Sequence, residues 1–138
     1  MTDSPVLDHI GVAVQSIDSG AAVYEIVGIE VEGTEEVPEQ GVRVAFLPVG
    51  ETRIELLEPI GEDSPVAHHL ERRGAGLHHI CFRVSDIRSA MARLSAEGYD
   101  LLSDEPQQGA DGCLVCFVHP KSAGGVLIEL SQRAVVTS

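Results

Sequence analysis

The chain repeats itself at half its length. Leu7-Asp-His-Ile-Gly-Val-Ala-Val14 is followed, at an offset of 70, by Leu77-His-His-Ile-Cys-Phe-Arg-Val84. The same offset aligns His9 with His79, Ile10 with Ile80, Ile17 with Ile87, Ser19 with Ser89, Ala22 with Ala92 and Gly28 with Gly98. Self-similarity over this span predicts two copies of one supersecondary unit, each needing a neighbour to bury its apolar face. It also predicts that a polar residue recurring inside an apolar run recurs for a chemical reason.

Within each copy the pattern predicts a strand, a helix and three further strands. In the first, residues 6–14 read as strand, and Ser16 or Asp18 can cap a helix running to about Val27, with Gly28 just past its end. Strands are expected over residues 29–32, 42–47 and 52–57, with Pro38-Glu-Gln-Gly41 as a turn. Ser64-Pro65 opens a connecting helix over 66–73. The second copy is expected to place strands at 77–84, near 99–102, at 113–118 and at 126–130, and a helix at 86–97. Ile128-Glu-Leu130 repeats Ile54-Glu-Leu56, now at an offset of 74. Each copy therefore carries a histidine on its first strand and a glutamate on its last.

At 138 residues with 43% hydrophobic content, the chain can bury one core. A net charge of −13 argues against nucleic acid and against anionic membrane surfaces as partners. No apolar run is long enough to span a bilayer, and Met1-Thr-Asp-Ser-Pro5 lacks the pattern of a signal peptide, so a cytoplasmic protein is expected. Cys81, Cys113 and Cys116 do not form a disulfide framework. Cys113 and Cys116 have half the spacing of a zinc site, but residues three apart on a strand face opposite sides, so they read as structural.

His9, Glu55, His79 and Glu129 form a mixed nitrogen and oxygen set suited to Zn, Mn, Ni, Co or Fe. A single histidine on a strand is more often a satisfied structural residue, and a single glutamate is usually solvated. Two of each in equivalent places are harder to explain by packing, because burying them without partners is costly. His78 adjoins His79, but alternation sends it to the other strand face, and Asp8 is its counterpart. His68 and His69 in the connecting helix are expected to face solvent. His119 is expected to be a turn residue that hydrogen-bonds or contacts substrate.

This plan resembles the vicinal oxygen chelate superfamily, and within it the methylmalonyl-CoA epimerase family. The resemblance is carried by Leu7–Val14, Pro38–Gly41, Ile54-Glu-Leu-Leu-Glu-Pro59, Asp63-Ser-Pro65, Gly76–Ile80, Asp104-Glu-Pro106, His119-Pro-Lys-Ser122 and Gly124-Gly-Val-Leu-Ile-Glu-Leu130. It implies an α+β fold in which two tandem β-α-β-β-β modules, about 5–60 and 75–132, form a curved, partly open mixed sheet around a metal site. A connecting helix at about 64–74 would complete a single domain over 1–138.

The resemblance further implies epimerisation of an acyl-CoA substrate by metal-assisted removal and return of an α-proton through an enolate. It makes His9, Glu55, His79 and Glu129 ligands of one divalent ion (Co, Mn, Zn, Ni or Mg, with Co favoured). Glu129 and Glu55 become the acid/base candidates, and Lys121 and Ser122 the contacts to the CoA substrate. Some relatives carry Gln at the Glu55 position, and some place a second catalytic glutamate where this chain has Val44. Glu55, Glu39 or a water could replace that glutamate. A homodimer is expected, since a second copy would cover open sheet edges. The competing readings are a glyoxalase I-like lyase, another metalloenzyme of the superfamily such as an extradiol dioxygenase, and a metal-free small-molecule binding protein.

Overall fold

The computed structural model describes residues 4–109 and 112–134. Contacts divide the chain into two compact units, His9–His78 and the described parts of Met1–Asp8 with His79–Ser138. The class is α+β, and each unit follows the repeated plan.

In the first unit, β1 (Val6–Ala13, whose first residues belong to the other unit) pairs in parallel with β4 (Thr52–Pro59). Next come β3 (Val42–Val49) and β2 (Gly33–Val37), both antiparallel to their neighbours, in the order β2-β3-β4-β1. Helix α1 (Ile17–Ile26) packs Ile17 and Ala21 onto Val14, Ala45, Leu47 and Leu56, which closes one sheet face. Ser16 caps it, its Oγ accepting from Ser19 N at 3.2 Å. Helix α2 (Pro65–Arg73) packs Val66 and Leu70 onto Ala13, Val42, Val44 and Leu57, on the opposite face and at one end of it. Ser64 caps α2 through Ala67 N at 2.9 Å.

The turn at Pro38–Gln40 is a single 3-10 turn. Gly41 ends it with φ +62°, and a Cβ there would meet Ser64 Cβ at 2.6 Å, so both the conformation and the space demand glycine.

The second unit pairs β5 (Gly76–Arg83, whose first residues belong to the other unit) in parallel with β8 (Ile128–Gln132), followed by antiparallel β7 (Leu114–Val118) and β6 (Gln107–Gln108). Helix α3 (Ile87–Ala96), capped by Asp86, buries Ile87, Ala90 and Met91 against Cys116 and Leu130. Cys116 is buried there as an inert hydrophobe, and burial raises its thiol pKa to about 11. Cys81 is also buried and Cys113 half-buried, all three as free thiols.

Three expected elements differ. Residues 29–32 are not strand: Ile29 and Val31 insert into the α1 cluster, Glu32 N donates to Phe46 O at 2.8 Å, and the paired residues of β2 begin at Gly33, opposite Phe46. The material near 99–102 reduces to one bridge, Leu101 to Val118, and the outer strand is Gln107–Gln108 instead. The last strand starts at Ile128, not Val126, because its ladder to β7 begins at the Val118–Ile128 pair.

Candidate active site

Strand alternation decides which face each functional residue occupies. On β1, Ile10 and Val12 belong to the α1 side, so His9 lies on the other. On β4, Ile54 and Leu56 also pack beneath α1, which leaves Arg53, Glu55 and Leu57 on the face of His9. Phe46 of β3 stands directly opposite Glu55. His9 Nδ1 lies 3.3 Å from Glu55 Oε2.

The second unit repeats this arrangement. Phe82 and Leu130 pack beneath α3, so His79 and Glu129 occupy the other face, with Phe117 directly opposite Glu129. His79 Nε2 lies 3.0 Å from Glu129 Oε1, and the Phe117 ring meets the His79 ring edge-on at 6.4 Å. His9, Glu55, His79 and Glu129 are 5, 7, 6 and 8% exposed, so the four donors are withdrawn from water. A carboxylate in that setting needs a cation or hydrogen-bond donors.

Both pairs fit the implied metal by donor type, and the second also by spacing. Two ligands each about 2.0–2.2 Å from one ion stand roughly 3 Å apart. His79 Nε2 and Glu129 Oε1, at 3.0 Å, meet that condition.

His78 alternates with His79 along β5, and its ring meets the His69 ring edge-on at 4.8 Å. His68 is exposed, but the expectation of a solvent-facing His69 fails. His69 is half-buried on His78, and desolvation, with a smaller contribution from the Arg73 charge, lowers its pKa. The helix is amphipathic, and position 69 falls at the edge of its buried stripe beside Val66 and Leu70.

His119 serves as a structural hydrogen bonder: its Nδ1 accepts from Lys121 N at 3.0 Å. Lys121 is exposed in the turn leading to β8, and Ser122 Oγ accepts from Asp100 N at 3.0 Å. Val44 is buried in the α2 cluster, and Glu39 is exposed on the 3-10 turn.

Two residues of this face were not singled out from the sequence. Arg53 donates to Glu55 Oε2 from Nε at 2.7 Å and contacts it from Nη2 at 2.6 Å. The signal was available, because residues two apart on a strand share a face. Glu35 on β2 stands directly opposite Val44, and its Oε2 is buried without a hydrogen-bond partner. It had no readable signal, because the sequence placed that strand elsewhere.

Residues 8–117 match the model of the Glyoxalase/Bleomycin resistance protein/Dioxygenase superfamily. The ethylmalonyl-CoA/methylmalonyl-CoA epimerase of Cereibacter sphaeroides is 45% identical, over 91% of this chain and 96% of its own length. The mitochondrial methylmalonyl-CoA epimerase of Homo sapiens is 44% identical, over 91% of this chain and 73% of its own. A Streptomyces coelicolor methylmalonyl-CoA epimerase variant, solved with 2-nitronate-propionyl-CoA, superposes with a TM-score of 0.88 at 40% identity, over 96% of this chain and 97% of that one.

Proposed function

The chain belongs to the Glyoxalase/Bleomycin resistance protein/Dioxygenase superfamily, and from its likeness to methylmalonyl-CoA epimerases within it we infer that it is an epimerase acting on methylmalonyl-CoA. The observation that carries this reading is a buried histidine–glutamate pair in each repeat of a chain that matches epimerases over nearly its whole length. The proposed ligands of one divalent ion are His9 and Glu55 from the first repeat and His79 and Glu129 from the second. Bound there, such an ion would act as a Lewis acid and stabilise the negative charge that develops when the substrate α-proton leaves.

Inversion at one carbon requires a proton carrier on each face of it. Glu129 and Glu55 are proposed for these roles. Each is held against its histidine and shielded by an aromatic ring directly across the ladder. Exclusion of water favours direct return of the proton over loss to solvent. Val44 carries no ionisable group and is assigned to packing. Lys121 and Ser122 are proposed to meet the acyl-CoA, the ammonium pairing with a carboxylate or phosphate and the turn presenting the hydroxyl.

The two repeats are proposed to act as a single domain, and two copies as a homodimer in the cytoplasm. Among the described residues no helix is long and apolar enough to cross a membrane. Among the metals the donor set allows, cobalt is proposed on the family resemblance.

Proton NMR of methylmalonyl-CoA in D₂O with metal-loaded protein tests the reading. Deuterium should enter the α-position while the two epimers equilibrate, and His79→Ala should stop both. Absence of exchange in fully loaded protein would reject the epimerase reading. Turnover of a methylglyoxal–glutathione adduct in its place would support a lyase.

A further inference from the structure

Glu55 and Glu129 hold matching places, but the residues two positions before them differ: Arg53 in the first repeat and Leu127 in the second. Arg53 brings Nη2 to 2.6 Å and Nε to 2.7 Å from a single oxygen, Glu55 Oε2. His9 Nδ1 approaches the same oxygen at 3.3 Å. The guanidinium also lies 5.5 Å from the centre of the Phe46 ring, and Phe46 is the cross-strand partner of Glu55. The carboxylate and the ring therefore both hold Arg53. A guanidinium keeps its charge at any working pH, and charge-assisted bonds of this length fix the acceptor firmly.

Two buried carboxylates would cancel the charge of a divalent ion. That would leave little attraction for an anionic substrate and little power to polarise it. A permanent positive charge bonded to one carboxylate alters this sum. We propose that Arg53 is a positioning residue that cancels the charge of Glu55 and fixes its orientation, so that the first repeat offers the cation a nearly neutral ligand. Glu55 Oε1, which takes part in none of the three contacts above, is the donor assigned to the cation. The proposal rests on the metal reading given under Proposed function. It implies a trade-off: Arg53 weakens cation binding and strengthens that of the anionic acyl-CoA.

The test is calorimetric titration of metal-stripped protein with Co²⁺ alone, for the native chain, Arg53→Met, Arg53→Lys, and Arg53→Met in a Glu55→Gln background, together with KM for methylmalonyl-CoA. Arg53→Met should tighten Co²⁺ binding by about tenfold, the scale of one removed like charge at partly screened contact distance, and should raise KM. Arg53→Lys should stay close to the native affinity, because it keeps the charge. In the Glu55→Gln background, Arg53→Met should change affinity by less than about twofold, the ordinary scatter between independent sites. Unchanged or weaker Co²⁺ binding by Arg53→Met would overturn the proposal, as would a tightening that persists without the Glu55 charge. Native protein that binds no divalent ion would overturn the metal reading and this proposal together. Native protein that binds Co²⁺ but epimerises nothing would reject only the substrate, and the affinities would still decide the role of Arg53.

Discussion

The two repeats build their histidine–glutamate pairs by the same means and surround them differently. In both, the carboxylate faces a phenylalanine across the ladder, Phe46 in one and Phe117 in the other. In both, the side chain three residues after the carboxylate reaches the first turn of the unit's long helix. Glu58 accepts from Ile17 N at 2.9 Å, and Gln132 accepts from Ile87 N at 2.8 Å. The differences concern charge. Arg53 and the anionic Glu58 belong to the first repeat, and the neutral Leu127 and Gln132 to the second. The shared geometry is what a duplicated strand pattern preserves. Under the proposed function, the altered charges give two similar carboxylates unequal parts in the reaction.

The largest effect expected from this asymmetry is on turnover. Glu129→Gln should reduce α-proton exchange by roughly 10²–10⁴-fold, the usual contribution of a positioned acid/base group. Glu55→Gln should cost about tenfold or less in exchange of the epimer that Glu129 deprotonates, because the Arg53 pair already offsets the charge that the amide lacks, but it removes the second proton carrier and so should block interconversion of the epimers. Exchange rates of the two variants under equal metal loading measure this, and equal losses would break the comparison.

A smaller effect is expected on stability. Glu58→Ala and Gln132→Ala each leave a helix N-terminal donor without its acceptor, at about 0.5–2 kcal/mol. Glu58 should cost more, since an anion at a helix N-terminus gains about 0.3–1 kcal/mol from the helix dipole. Urea unfolding would sharpen the comparison if the order holds and break it if Gln132→Ala proves the more damaging.

The smallest effect involves His69 on α2, an element of the first unit. Its pKa is lowered in the folded chain, by burial first and by Arg73 second. The folded state therefore prefers the neutral ring. The stability it contributes is present above the unfolded pKa, near 6.5, and is lost as pH falls through the lower folded value. Thermal melts should show a decline on acidification below about pH 6.5, and His69→Gln should flatten it. The His78 ring in contact with it is the other titratable group whose contribution that variant helps separate.

Much of the fold was legible because its signals are local. Ser16, Ser64 and Asp86 cap the helices from within one turn, and Gly28 and Gly98 follow the helix ends at φ +94° and +88°. The strands carrying the four site residues were legible because apolar alternation marks their α1- and α3-facing sides. The outer strands were not. Ile29 and Val31 are apolar and alternate, yet they fill the α1 cluster while the ladder starts further on. Gln107 and Gln108 carry no pattern at all. Such edges are chosen by the partner strand, which no local window contains.

The chain's own pattern was enough to establish the duplication, the helices and the strand face on which each of His9, Glu55, His79 and Glu129 lies. Caps and alternation act over a few residues, and a period of two leaves a side chain only two directions. What surrounds those groups was decided by tertiary structure. The pairing of β3 with β4 placed Phe46 across from Glu55, and side-chain packing put Arg53 on one carboxylate oxygen and His69 on His78. Distances of this kind depend on ladder register and rotamer, which are settled only when strands remote in sequence come together.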